Sequence, residues 1–476
     1  MKKILSFVMI LCLTLGLLAC GGNTGGQADT QPEEKGQFMV GFSVQDITPD
    51  ESVPMRGYGD AQNRRSEGLF SYLEAEALAV RDAEGEMVVF VVADLTYGPD
   101  VQGQLLRQDL SKELGIPEKN IILSGTHTHN SVANNMTSDP AIGRYNEKLV
   151  NGVKEAVRGA VADLKPAEIY VGSIQTEGLN FVKRYIMDDG SLIADNFPGT
   201  GTTIVSHETE ADRELQLMKF VREGGKDILV ANFQTHPHFE GKQTNISAEI
   251  VGAFREAVKA NLDVHCLYWQ GAAGNLNSRS RIGSENTINT RNEWGEKLCS
   301  YAMEIYDQMT KVESGPVKVL DMNYPGTVNH SFDKYITEAQ AVRAYFAETG
   351  DANATADYAM SLGVGIHSVY HANRIVGNSN LPNSKDIYLT VWSFGDVAGV
   401  VMAQEMYDTT GMILKEQSPF EMTFIVSYSW PAYDCYIPTA EAYAVGGYEA
   451  DNSIWAPGTA EEITAEYLNL LKAMHE

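Results

Sequence analysis

The sequence predicts an α/β fold, with a mixed, largely parallel sheet covered by helices and a helical insertion. Short apolar, β-branched runs recur along the chain, and longer segments with helical apolar spacing lie between them. Strands that alternate with helices of this length form a largely parallel or mixed sheet. The sequence shows no internal repeat and no second low-complexity linker, so residues 38–476 are predicted to form one domain.

The predicted elements follow one another along the whole of this domain. Strands are expected at 87–93, 121–124, 169–171, 228–231, 266–269 and 317–320, and helices at 101–114, 145–164, 248–262 and 293–312. Residues 332–380 are predicted to be the helical insertion. Strand character returns at 387–393, 397–402 and 422–427, and 460–474 is predicted to be a closing amphipathic helix.

The first 20 residues have the pattern of an export signal. Two lysines precede an apolar run over 4–18, which is shorter than the roughly 20 residues needed to cross a bilayer. The run ends in Leu-Leu-Ala-Cys, which resembles the bacterial lipobox, so Cys20 is expected to be lipidated and to anchor an exported lipoprotein in the cell envelope. The alternative is an ordinary signal peptide with a chance cysteine. Residues 21–37 contain no large apolar side chain and are predicted to be a flexible tether.

Charge and cysteine content limit the possible partners and metal ligands. The chain has 63 acidic and 36 basic residues, a net charge of −27, which argues against nucleic acid as a partner. Beyond Cys20, only Cys266, Cys299 and Cys435 remain in the predicted mature protein, and they form no CxxC pair. A metal would therefore have to be held by His, Asp, Glu or Tyr.

Two His-x-His pairs follow two of the predicted strands. His127 and His129 come after the strand at 121–124, and His236 and His238 come after the strand at 228–231, in a chain with ten histidines. Ligands of open α/β sheets bind at the carboxyl ends of strands, and residues i and i+2 of an extended segment face the same side. Neutral imidazole is the commonest protein ligand of zinc, so the pairs indicate one shared zinc site. The alternative is that they cap loops by bonding backbone carbonyls.

Six motifs occur along the chain in a recognisable order. They are Asp46-Ile47-Thr48-Pro49 with Pro54-Met55-Arg56-Gly57-Tyr58-Gly59, Gly125-Thr126-His127-Thr128-His129, Asn180 with Arg184-Tyr185, Phe233-Gln234-Thr235-His236-Pro237, Ala403-Gln404-Glu405, and Tyr436-Ile437-Pro438-Thr439 with Tyr443 and Gly447-Tyr448-Glu449. In this order they resemble the neutral/alkaline, non-lysosomal ceramidase family, from about Val40 nearly to the C-terminus.

The resemblance implies a catalytic Zn²⁺ ion and a role for each matching residue. The implied ligands are His127, His236, Glu405 and Tyr436. His129 is then left to carry a proton. Without the resemblance, Glu405 would be interpreted as a carboxylate at a helix N-terminus and Tyr436 as a buried core residue. The resemblance also implies that Arg184 binds a substrate oxygen, the alternative being a surface salt bridge. His238 has no counterpart and is expected to face solvent.

The third loop departs from the family pattern. Family members studied most have Gly-Asp-Val-Ser-Pro-Asn, with a catalytic role assigned to the serine, whereas this chain has Asn275 and Asn277 at the aspartate and serine positions. Asparagine cannot form an acyl intermediate, so a water activated by zinc is the expected attacking group, with Asn277 beside the substrate carbonyl. Ser278 is one residue away and is expected to point elsewhere. The chain is also expected to lack the β-sandwich domain of secreted members.

The predicted function is therefore zinc-dependent hydrolysis of an amide bond. The substrate would be an N-acylated lipid resembling ceramide or another small acylated amine. Two alternatives remain open at this point: a zinc hydrolase acting on an ester or acylated sugar, and a surface binding lipoprotein that has the fold without turnover.

Overall fold

The computed structural model describes residues 36–59, 61, 63–194, 202–431 and 436–476. The predicted signal peptide, the predicted lipidation site Cys20 and Cys435 lie outside these residues, as does the predicted tether apart from its last two positions. Residues 36–476 form one compact unit. Among the described residues, no helix is both long enough and apolar enough to cross a bilayer.

The strands are mostly short, and many of them pair with strands that are distant in the sequence. They are β1 (Met39–Asp46), β2 (Met55–Arg56), β3 (Gly68–Leu69), β4 (Glu74–Arg81), β5 (Met87–Ala93), β6 (Ile121–Gly125), β7 (Ser131–Val132), β8 (Lys165–Gln175), β9 (Phe181–Val182), β10 (Arg184–Met187), β11 (Leu192–Ala194), β12 (Ile204–His207), β13 (Glu214–Arg222), β14 (Ile228–Phe233), β15 (Asn245–Ile246), β16 (His265–Gln270), β17 (Leu276–Asn277), β18 (Thr310–Val312), β19 (Val317–Thr327), β20 (Ser384–Phe394), β21 (Val397–Val401), β22 (Glu405–Met406), β23 (Met422–Val426) and β24 (Tyr436–Ile437).

The helices cover the sheets and form the insertion. They are α1 (Gly103–Leu114), α2 (Pro140–Ala162), α3 (Glu249–Leu262), α4 (Arg291–Tyr306), α5 (Ile336–Thr349), α6 (Ala352–Ser361), α7 (Val369–Asn378), α8 (Asp408–Gln417), α9 (Ala440–Val445), α10 (Tyr448–Asp451) and α11 (Thr459–His475). The helix predicted over 293–312 ends earlier, because residues 310–312 form β18 on the edge of β8.

The main sheet has nine strands, with the order β16-β14-β13-β8-β1-β4-β5-β6 and β18 paired to β8. A mixed sheet covered by helices was predicted and is confirmed, but the expectation that it is largely parallel is wrong. Among the described pairings of this nine-stranded sheet, β5 with β6 and β14 with β16 are parallel, and the others are antiparallel. The reason is that β1, β4 and β13 were not predicted as strands, and these strands make antiparallel pairings in the middle of the sheet.

A second sheet, in the order β19-β20-β21-β23, brings the two ends of the first sheet together. Its last strand continues into 427–430, which bonds to both ends. The Ser427 N–H donates to the carbonyl of Gln270 at the end of β16, and the Gly125 N–H at the end of β6 donates to the carbonyl of Tyr428. The loops after β6 and β14 are therefore close in space, although these strands lie near opposite ends of the strand order.

The predicted helical insertion contains α5, α6 and α7, between β19 and β20. These helices share a small apolar core of their own. Its buried members are Ala339, Val342, Ala359, Ile366, Ala372 and Ile375. The insertion is thus a local helical layer whose packing is largely internal.

Candidate metal centre

The two histidine loops direct imidazole nitrogens towards one buried point. The Nδ1 atom of His127 lies 2.6 Å from the carbonyl oxygen of Thr96, and the Nδ1 atom of His236 lies 2.8 Å from that of Ala273. A carbonyl can only accept, so each Nδ1 carries a proton, and in the neutral ring Nε2 then has the lone pair that can bind a metal. Metal-binding histidines commonly donate their other ring N–H to a carbonyl in this way, which fixes the orientation of the ring.

Glu405 meets both histidines. Its Oε2 atom lies 3.2 Å from Nε2 of His236 and 3.6 Å from Nε2 of His127, and all three side chains are almost fully buried. Its other oxygen, Oε1, accepts a 2.6 Å hydrogen bond from the Tyr97 hydroxyl. Nε2 of His236 and Oε2 of Glu405 have no hydrogen-bond partner within the described part of the chain.

A metal ion would satisfy these atoms. Buried polar atoms are almost always hydrogen-bonded or bound to an ion, so a lone pair and a carboxylate oxygen in contact need a shared partner. Zinc prefers imidazole and carboxylate ligands at about 2.0–2.2 Å, and tetrahedral geometry then separates neighbouring ligand atoms by about 3.3–3.6 Å. The contacts of Glu405 with the two histidines are close to this separation, so the three side chains fit a zinc ion.

The electrostatic environment keeps His236 and Glu405 in the forms that bind a metal. Burial, with a further contribution from Lys183, lowers the pKa of His236 to about 3, so its imidazole is neutral at physiological pH. Burial raises the pKa of Glu405, but the contacts with His127 and His236 outweigh burial, and the pKa of this carboxyl lies well below its usual range. Neutral imidazoles and an ionised carboxylate are the forms that bind zinc.

Tyr436 lies beside Glu405 in the structure. Strands β22 and β24 pair in parallel, and Glu405 and Tyr436 are direct partners in this pair. The tyrosine is buried, and burial, followed by the charge of Glu405, holds the pKa of its hydroxyl well above the usual value. It is therefore a neutral phenol in the absence of a cation, and its role as a fourth ligand remains a prediction.

His129 also belongs to the cluster. Its Nε2 atom lies 3.2 Å from Nε2 of His127, and the ligand nitrogens of His127, His129 and His236 all lie within 4.8 Å of one another. Nδ1 of His129 is buried and has no hydrogen-bond partner in the described residues, unlike Nδ1 of the other two. Burial and the neighbouring His127 lower its pKa well below the usual value.

The backbone around these histidines is specialised. His127 has φ of 65°, a left-handed conformation that costs energy for a residue with a side chain and that clusters at functional sites. Gly57 has φ of 121°, and a Cβ atom there would lie 2.5 Å from the Cα of His129. The glycine of the opening motif is therefore required for close approach to the first histidine loop.

The third loop reaches the same place. Asn277 is buried, and its Oδ1 atom lies 3.0 Å from Nε2 of His238. The expectation that His238 only faces solvent is wrong, because it is half-buried and fixes the orientation of the Asn277 amide. Asn275 instead exchanges two hydrogen bonds with Asp408, at 2.7 and 2.9 Å. The hydroxyl of Ser278 is buried and has no hydrogen-bond partner in the described residues.

The guanidinium of Arg184 already has protein partners. Nε and Nη2 donate to the carboxylate of Glu208 at 2.5 and 3.4 Å, and Nη1 donates to the carbonyl of Gly446 at 2.9 Å. The salt bridge that the sequence left open thus exists, although Arg184 is buried, not at the surface. Its contact with a substrate stays a prediction.

Three side chains of the site were missed by the sequence analysis. Tyr97 holds Glu405, the Tyr428 ring stacks on the His127 ring with centroids 3.7 Å apart, and Lys183 pairs with Glu449 in the interior. Tyr97 follows the carboxyl end of β5, where polar residues cluster. The argument used for the histidines, that ligands bind at the carboxyl ends of strands, would also have identified Tyr97. Tyr428 and Lys183 carry no comparable signal.

A buried network of charged side chains contacts the first histidine loop on its core side. Arg255 donates to Asp94 at 2.5 Å and to Glu76 at 3.2 Å, and all three side chains are within the core. Asp94 also accepts a 3.1 Å hydrogen bond from the hydroxyl of Thr126, the residue before His127. The network therefore connects the core of the sheet to the backbone that carries the first histidine.

Together, these side chains define a candidate catalytic metal centre on an α/β scaffold. Residues 38–260 match the family model described as "Neutral/alkaline non-lysosomal ceramidase, N-terminal". This match confirms, over residues 38–260, the resemblance drawn from the motifs.

Curated relatives and solved structures agree with this assignment. The chain is 27% identical over 196 residues to neutral ceramidase 2 of Arabidopsis thaliana and 26% identical over 210 residues to neutral ceramidase 1 of the same plant. These alignments cover 39% and 42% of this chain but only 24% and 25% of the relatives, so the matched stretch is about a quarter of their length.

The fold likeness extends further than the sequence likeness. The neutral ceramidase from Pseudomonas aeruginosa superposes with a TM-score of 0.69 at 17% identity, over 92% of this chain and 74% of that one. A ceramidase complexed with C2 gives the same TM-score at 15% identity. The fold likeness therefore extends over most of the chain, beyond the part that matches in sequence.

Proposed function

We propose that this chain is a zinc-dependent amidohydrolase that cleaves the amide bond of an N-acylated lipid resembling ceramide. The observation that carries the proposal is the convergence of His127, His236 and Glu405, with a buried nitrogen and a buried oxygen that have no hydrogen-bond partner among the described residues. It is supported by the curated relatives, which are named neutral ceramidases.

The residues around this point have separate tasks. His127, His236 and Glu405 would hold zinc, with Tyr436 beside them. A bound zinc ion supplies Lewis-acid chemistry, polarising a carbonyl and making a water molecule more acidic. Tyr97 keeps the Glu405 carboxylate in position through the hydrogen bond to Oε1.

The reaction adds one water molecule across the amide bond. As the water oxygen bonds to the carbonyl carbon, His129 accepts its proton. The amide of Asn277, oriented by His238, donates to the oxygen on which negative charge develops. His129 then returns the proton to the nitrogen as the carbon–nitrogen bond breaks, which leaves a fatty acid and a free amine.

A substrate comparison tests the proposed bond. Purified protein would be given an N-acyl sphingosine, a matched acyl ester with the same chain, and an acetylated sugar. We expect hydrolysis of the amide, its loss after chelation and its return with zinc. Cleavage of the ester or sugar alone would replace the proposed substrate class. Zinc binding without turnover of any of them would favour a binding protein.

We also propose that the protein is an exported bacterial lipoprotein, anchored through Cys20. This rests on the sequence pattern at 1–20, with the predicted cleavage leaving Cys20 as the new N-terminus. Radiolabelled palmitate should enter the wild-type protein in its bacterial host and should not enter Cys20→Ala, which should also leave the membrane fraction. Cys299→Ala, in which a buried cysteine of the domain is changed, is the matched control. A membrane-bound Cys20→Ala protein would contradict the proposed anchor.

A further inference from the structure

A second group of metal-ligating side chains lies between the helical insertion and residues 436–451, which run from β24 to α10 and are called the C-terminal block below. It consists of His367, just before α7, His371 in the first turn of α7, and Asp451 at the end of α10. One ligand atom from each lies within 4.8 Å of the others. None of the three belongs to the ligand set of the candidate metal centre.

The two imidazoles approach the same carboxylate oxygen. Nε2 of His367 lies 2.8 Å from Oδ1 of Asp451, and Nδ1 of His371 lies 3.7 Å from that oxygen. The first contact alone would be an ordinary hydrogen-bonded ion pair. The second is too long for a hydrogen bond, and Nδ1 of His371 is buried with no hydrogen-bond partner among the described residues.

The surroundings hold these side chains in place. The hydroxyl of Ser368 donates a 2.6 Å hydrogen bond to Oδ2 of Asp451, which leaves Oδ1 facing the histidines. The same hydroxyl accepts a 3.0 Å hydrogen bond from the backbone N–H of His371 and so fixes the start of α7. The His367 ring also has a hydrogen bond to the Gly365 backbone. Outer contacts of this kind orient metal ligands and raise affinity.

We infer that His367, His371 and Asp451 form an accessory zinc site. Two imidazoles and one carboxylate are a zinc-type donor set. Ligand atoms of tetrahedral zinc are about 3.3–3.6 Å apart, so binding would lengthen the 2.8 Å contact and slightly shorten the 3.7 Å contact. A third of the His367 side chain is exposed, so water can reach the remaining coordination position.

The accessory site would hold the insertion against the C-terminal block. Asp451 belongs to α10, whose first residue, Tyr448, packs edge-on against the ring of Tyr436 with centroids 5.8 Å apart. The next residue, Glu449, pairs with Lys183 at 3.0 Å. An ion shared by α7 and α10 would thus stabilise the segment that packs beside the candidate metal centre, independently of the reaction proposed there.

Zinc stoichiometry of the full chain tests this site. Metal would be removed from purified protein with a chelator, zinc returned, and bound zinc measured by mass spectrometry and by calorimetric titration. We expect two zinc ions in the wild type and one in either His371→Ala or Asp451→Asn. Removing one ligand from each site, in the double variant His236→Ala/His371→Ala, should leave none. His330→Ala removes a histidine of the same region that contacts Asp333 and the Pro382 carbonyl at the surface, and it should keep two.

The variants separate the two sites. The wild type could instead bind one zinc ion, which His236→Ala loses and His371→Ala keeps. That result would overturn the accessory site and leave the proposed function intact. The reverse pattern would support the accessory site and overturn the proposed function. Ser368→Ala keeps all three ligands, and we expect it to weaken the second zinc by about 10–100-fold. Zinc should raise the melting temperature of His236→Ala but not of the double variant; equal shifts in both would contradict the accessory site.

Discussion

His236→Ala should lose the zinc ion of the candidate metal centre together with nearly all amide hydrolysis. The variant removes an imidazole whose Nδ1 is fixed by the Ala273 carbonyl and whose Nε2 contacts Glu405. A metal contributes several kcal/mol to the stabilisation of the transition state, and each 1.4 kcal/mol is a factor of ten, so we expect a loss of at least about 10³-fold. The measurement is kcat/KM on an N-acyl sphingosine, with zinc content determined on the same sample.

Two other histidines provide the controls for this prediction. His129→Ala should keep zinc and still lose activity, because His129 is assigned to proton transfer; loss of zinc in this variant would make it a ligand instead. His475→Ala changes an exposed histidine at the end of α11 and should leave both quantities unchanged. Full activity in His236→Ala, with normal zinc, would contradict the assignment of the centre.

Asn277→Ala should cost about 10²–10³-fold in kcat, the size expected for loss of one donor to a developing oxyanion. Zinc content should be unchanged, since Asn277 contacts His238 and is not assigned as a ligand. Asn277→Asp keeps the shape but replaces the donor with an acceptor, so we expect it to be no more active than the alanine variant. An Asn277→Ala enzyme with wild-type kcat would remove this residue from the reaction.

Direct attack by water and attack by a serine, which forms an acyl intermediate, can be distinguished by experiment at this loop. If water attacks directly, a rapid-quench time course should show no burst of amine, and mass spectrometry of the denatured protein should find no acyl adduct. Ser278→Ala should then have little effect, although the hydroxyl of Ser278 is buried without a partner in the described residues. A stoichiometric burst with an adduct on Ser278 would show that the family's serine had moved by one position.

The strand ends that carry the site could be predicted from the sequence. The apolar runs before His127 and His236 became β6 and β14, and polar residues directly after a buried strand are a strong signal for a ligand site. What the pattern could not give was the way these loops meet. They meet because residues 427–430 bond to the ends of both β6 and β16, and nothing local in that segment indicates such a bridge.

The direction of the strands was the weaker part of the prediction. β4 and β13 are buried strands that contain charged or polar residues, such as Glu76 and Gln216, and this mixture hid their apolar pattern. Glu76 is tolerated there because Arg255 reaches it from α3. A buried ion pair formed by residues far apart in the chain leaves no local signal, so the antiparallel middle of the sheet was missed.

Zinc-edge anomalous diffraction from crystals of the purified protein tests the central claim most directly. The predicted result is a zinc peak about 2.0–2.2 Å from Nε2 of His127, Nε2 of His236 and Oε2 of Glu405, with Tyr436 beside it. Crystals of an amide-hydrolysing preparation that hold no zinc among these three atoms, even after soaking in zinc, would contradict the account.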